Sequence, residues 1–89
     1  MNPEHKKFLN ECACMAKRFN LLYAADTGLC SVDSRNGKAA VMLADNHFLR
    51  YFGDSFEVVD RKDSQFPWEL VHMENGVQFF CITEKNPKE

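Results

Sequence analysis

The chain lacks a run approaching the roughly 20 apolar residues that a membrane-spanning helix needs, so a transmembrane role is not expected. It lacks an excess of basic charge. Eleven Lys and Arg stand against 13 Asp and Glu, for a net charge of -2. The basic side chains are scattered, with acids lying among nearly all of them. No basic field for direct nucleic-acid binding is legible. Four glycines and three prolines are spread without any low-complexity tract, repeat or linker, so residues 1–89 read as one domain.

Paired metal-binding knuckles are also missing. The four cysteines are Cys12, Cys14, Cys30 and Cys81, and Cys12-Ala13-Cys14 is not a C-x-x-C. The histidines His5, His47 and His72 lie far apart in sequence. No metal or other cofactor is expected from this spacing. Arg35-Asn36-Gly37-Lys38 lacks the upstream glycine of a phosphate loop. A nucleophile elbow, a zincin helix and a dinucleotide fingerprint are all absent. The polar start, Met1 to Lys7, leads into a helical pattern and not into a secretory apolar core, which predicts a cytoplasmic protein with free thiols.

What is present is a globular composition: 45% apolar and 27% charged residues, with eight Phe, two Tyr and one Trp. This argues against disorder. Asn2-Pro3-Glu4 is a helix start, with an N-cap, a proline at the first helical position and an acid facing the dipole. Phe8, Cys12, Met15 and Phe19 share one stripe of that helix, which predicts an amphipathic helix from Pro3 to about Phe19. A short extended segment is expected over 21–25. Strands are expected over Leu29–Asp33 and Lys38–Ala44, around an Asn36-Gly37 turn. Asp45 is expected to cap a short helix over Asn46–Phe52, stopped by Gly53. Phe56–Asp60 reads as a strand, and Arg61–Pro67 as a polar loop.

The clearest element is the hairpin of Trp68–Glu74 and Val77–Glu84 around Asn75-Gly76, the strongest short hairpin signal. The expected fold is therefore α+β: an N-terminal amphipathic helix packed on a mostly antiparallel sheet of five to six strands, in the order α-β-β-β-α-β-β-β. The two-residue loop pairs His72 with Phe79 and Leu70 with Cys81. It leaves a second apolar face made of Val71, Met73, Phe80 and Ile82.

Three chemical readings compete with a surface role. Asp26-Thr27-Gly28 resembles the active-site turn of aspartic proteases, but the resemblance covers three residues. The long N-terminal helix is foreign to that all-β fold, so a turn is the expected role. His72 and Cys81 are diagonal neighbours on one hairpin face, a conceivable dyad set among apolar side chains. Cys14 lies on the polar side of the helix, with Lys17 and Arg18 one turn later. A small thiol-dependent enzyme or redox protein using Cys14 or His72/Cys81 is the alternative these residues define.

The leading expectation is a non-enzymatic protein-binding domain. Its partner side chains would be Val71, Met73, Phe80 and Ile82, with Asp54, Glu57, Asp60 and Asp63 offered to a basic groove. In size and character such a chain is similar to mobile-element inhibitors of host defence nucleases, including anti-CRISPR proteins, which work by steric masking. The expected partner is a protein, possible targets including one that handles nucleic acid. A homodimeric structural module is a further alternative, sharing the same sheet face.

Overall fold

The first helix starts as the sequence predicts. In the computed structural model, which describes residues 2–89, the side chain of Asn2 accepts a hydrogen bond from the Glu4 amide at 2.8 Å, and Pro3 opens helix α1, Pro3–Ala24. The helix runs through the segment expected to be extended. Leu21, Leu22, Tyr23 and Ala24 carry no helix breaker, and the stop comes only at the turn that follows. There the Thr27 hydroxyl donates to the Leu22 carbonyl at 2.6 Å and the Ala25 amide donates to the same oxygen at 3.3 Å. These bonds satisfy a carbonyl that the helix end leaves without a partner.

Strands β1, Leu29–Arg35, and β2, Lys38–Leu43, form the first hairpin; helix α2 is Asp45–Phe52; strands β3, Glu57–Asp60, β4, Trp68–Glu74, and β5, Val77–Thr83, complete the chain. Both hairpin turns are Asn-Gly pairs with positive φ at each residue: 53° and 78° at Asn36-Gly37, 53° and 74° at Asn75-Gly76. That geometry matches the right-handed twist of the flanking strands. Asp45 is the first residue of α2 and not its cap. Its carboxylate accepts from the Asn46 amide at 2.8 Å, and Ala44 occupies the N-cap.

The five strands form one sheet in the order β1-β2-β5-β4-β3. Three ladders are antiparallel and β2–β5 is parallel. The β4–β5 hairpin is thus inserted between β2 and β3, which are joined through α2. This split crossover lays α2 on one face. Phe48, fully buried, packs with Leu43, Phe56, Leu70 and Cys81, and Val41, Phe52, Val58 and Phe79 surround that cluster. The α+β class and the five-stranded sheet follow the expectation. The observed order is α-β-β-α-β-β-β.

The seat of the long helix differs from the expectation. None of its residues is buried. It meets the rest of the fold chiefly where its last turns approach β1. The molecule measures 55 × 28 × 26 Å, and its radius of gyration is 15.7 Å, against about 12 Å for a compact chain of this length. The physical reason lies in the turn. Asp26-Thr27-Gly28 is pinned to α2: His47 Nε2 lies 3.1 Å from the Asp26 carboxylate, and the Tyr51 hydroxyl donates to the Thr27 carbonyl at 2.7 Å. Gly28 sits at φ +79° hard against the His47 side chain. This fixes the exit of α1 beside the sheet and not across it.

A Cβ at position 28 would collide with the His47 ring, whereas one at Gly37, also at positive φ, would meet open space. Gly28→Ala is expected to lower unfolding stability by about 2 kcal/mol or more, and Gly37→Ala by about 1 kcal/mol from backbone strain alone. Urea unfolding midpoints of the two variants check the difference.

Candidate functional site

Pleating assigns each strand residue to a face. Glu57 and Val59 of β3, Glu69, Val71 and Met73 of β4, and Gln78, Phe80 and Ile82 of β5 lie on the side opposite α2. The hairpin register places these residues as the sequence predicts, with Val71 opposite Phe80 and Glu69 opposite Ile82. Among the described residues, no helix covers this side. Met73 is 51% and Val59 is 44% exposed, while Val71 and Ile82 are half-buried.

Phe80 is buried, and the group that covers it is Arg35. The guanidinium stands 4.4 Å from the Phe80 ring centroid, and its Nη2 pairs with Glu69 at 3.1 Å. A planar cation on an aromatic face, held by a carboxylate, is a favourable arrangement for arginine. Arg35 therefore crosses from edge strand β1 over two intervening strands to β4. Ala40, on the same face of β2, is fully buried. Arg35 Nη1 is buried without an acceptor, and a buried unpaired donor is costly. The sequence reading did not single out Arg35, because its pairing with Glu69 depends on the strand order.

The four acids expected at the partner surface separate. Glu57 lies on the open face, exposed beside Val71. Asp54 lies exposed in the turn after α2. Asp60 belongs to the other face, opposite Trp68. It accepts from the Lys62 amide and ammonium, bonds that hold its carboxyl below the usual range. Asp63 accepts from the amides of Phe66 and Gln65, which lower its carboxyl likewise. Asp60 and Asp63 thus have a local task, shaping the β3–β4 loop.

The candidate dyad has a structural assignment. The His72 ring stacks on Phe52 with centroids 4.0 Å apart, and its Nδ1–H donates to the Ser55 carbonyl at 2.6 Å. This ties β4 to the segment leading into β3. Cys81 is fully buried opposite Leu70. Burial, then the charge of Asp45, push its thiol up to about 12, so the thiolate needed for nucleophilic chemistry does not form there near neutral pH. Cys14 is exposed on α1, in a shallow surface with Lys6, Lys7 and Glu11. Among the described residues, no three His, Cys, Asp or Glu side chains converge as metal ligands. Among the described residues, no helix is long and apolar enough to cross a membrane.

No protein-family model, curated protein or solved structure matches this chain.

Thiol labelling of the folded chain at neutral pH is expected to modify the exposed Cys14 and Cys30 readily and to leave Cys81 untouched until denaturant is added. The pH dependence has a defined sign. The unfolded thiol ionises near 9 and the folded one only near 12. The unfolded chain therefore holds fewer protons between those values, and Cys81 subtracts stability as pH rises past about 9. A Cys81→Ala variant, compared with the parent at pH 8 and pH 10, should show a shallower alkaline loss.

Proposed function

We propose that this chain is a small non-enzymatic protein-binding domain that works by occupying a partner's surface with the open face of its sheet. The observation that supports the reading is the one-sided core. Helix α2 covers the face of Leu70 and Cys81, whereas among the described residues no helix covers the face of Val71, Met73, Phe80 and Ile82, where the Arg35 side chain shields Phe80 alone. An apolar patch rimmed by polar side chains is characteristic of interaction sites.

The finer form of the proposal is steric masking of a host nucleic-acid-handling or defence protein, in the manner of anti-CRISPR inhibitors. Its support is the small size, the acidic balance and the exposed Glu57 beside Val71 on the apolar face, with Asp54 exposed in the turn after α2. A basic partner groove would be complementary to those side chains.

The test is a pull-down from a lysate of the cells that make the protein, treated with nuclease, using the parent chain and Met73→Glu. Met73 is exposed enough for the substitution to leave the unfolding free energy within about 0.5 kcal/mol of the parent. The expected outcome is a stoichiometric protein partner bound by the parent and at least about tenfold more weakly by Met73→Glu. A partner held equally by both would remove the sheet face from the interaction. A partner lost on nuclease treatment would replace the reading with nucleic-acid tethering.

A further inference from the structure

Helix α1 leaves more apolar surface in water than the sheet does. Phe8, Met15 and Leu22 are 62%, 65% and 47% exposed. A helix in this state gains little tertiary packing to offset the entropy of ordering it. Its apolar side chains are regularly arranged. Phe8, Cys12, Met15, Phe19 and Leu22 follow one another at alternating steps of four and three residues, the a/d seam of a two-stranded coiled coil. Cys12 and Phe19 are the residues of α1 that reach intermediate burial. Glu11 and Arg18 flank the seam on one side, and Leu9, Ala16 and Tyr23 flank it on the other.

We infer that α1 is a self-association element, pairing antiparallel and flush with α1 of a second copy of this chain. With the two-fold axis crossing the helix midpoint, between Ala13 and Cys14, the flanking residues Leu9, Glu11, Ala16 and Arg18 each find a suitable neighbour. Phe8 faces Phe19 of the partner subunit, and Cys12 faces Met15 of the partner subunit. Glu11 lies beside Arg18 of the partner subunit, and symmetry repeats each contact. Leu9 meets Ala16 of the partner subunit on the other flank. A parallel pair would instead set Glu11 beside an alanine and Arg18 beside a tyrosine, and would align the two helix dipoles.

Two further features fit the antiparallel pair. Helix α1 has Glu4 in its first turn and no basic residue in its last. The partner's His5 and Lys6 arrive at that uncompensated C-terminal end, where positive charge is favourable. The groove between α1 and β1 is lined by the seam residues Met15, Phe19 and Leu22 together with Leu29 and Val32, and it receives the partner's Phe8. Helix α1 is about 33 Å long; its first half projects free of the sheet and its last turns flank β1 across a groove, so the antiparallel pairing puts the two sheets at opposite ends.

Sedimentation equilibrium on the full chain tests this. At roughly 50 μM, affinity in the micromolar range or tighter gives a mass twice the 10.3 kDa of one chain. Met15→Glu sets two carboxylates near the axis and should raise the dissociation constant at least about 100-fold. Glu11→Arg should raise it about tenfold, and Glu11→Arg combined with Arg18→Glu should return it to within about threefold of the parent. That rescue is specific to the antiparallel register. A monomeric parent, a dimer indifferent to Met15→Glu, or a double variant no better than Glu11→Arg each overturns the inference. Dissociation by Met73→Glu with Met15→Glu inert would assign self-association to the sheet face instead, leaving the protein-binding reading to stand or fall separately.

Discussion

Everything in this fold depends on one act of burial: an eight-residue helix placing Phe48 against Leu70, Cys81, Leu43 and Phe56. A sheet of five strands has two faces, and a helix of that length can dry only part of one. The split crossover decides which part. Because β4 and β5 insert between β2 and β3, the connecting helix must pass over the hairpin, and its aromatic stripe comes down on the hairpin's inner residues. Phe52 then stacks on His72, and His72 anchors the Ser55 carbonyl. A histidine that looked chemical in the sequence is part of how the crossover is tied down.

The shortage of covering helix has two consequences. On the far side of the sheet, Arg35 acts as a partial lid, using the faces of its guanidinium for Phe80 and its edge for Glu69. A single side chain shields Phe80 but leaves Met73 and Val59 wet. At the other end of the molecule, the contacts among Asp26, Thr27, Gly28, His47 and Tyr51 direct α1 away from the sheet, so a 22-residue helix carries a continuous apolar seam into solvent. Both surfaces follow from the same imbalance between apolar area and the elements available to cover it.

Local chemistry was legible wherever one or two residues decide the backbone. The Asn2-Pro3 start, both Asn-Gly turns, the stop at Gly53 and the full pairing of β4 with β5 are all readable from the residues concerned. Helix α1 outruns its expected end near Phe19 because the segment beyond it, free of breakers, simply continues the helix. The acids Asp60 and Asp63 looked available for a partner. Their loop folds so that one oxygen of each carboxylate accepts from backbone amides of the loop, a local event that composition does not reveal.

The sequence by itself determined the helix start, the five strands, the second helix and the hairpin register, and therefore which side chains share a face, because these follow from periods of 3.6 and 2 and from turn residues acting over a few positions. Only the tertiary structure decided which face α2 covers, that Arg35 reaches Glu69, that Cys81 is sealed, and that the long helix stands clear of the sheet. Each of these depends on the strand order and on one pinned turn, and both bring together residues far apart in the chain. Pattern reading has no range at such separations, so the same apolar stripe on α1 is compatible with a seat on the sheet or with the exposed position it occupies.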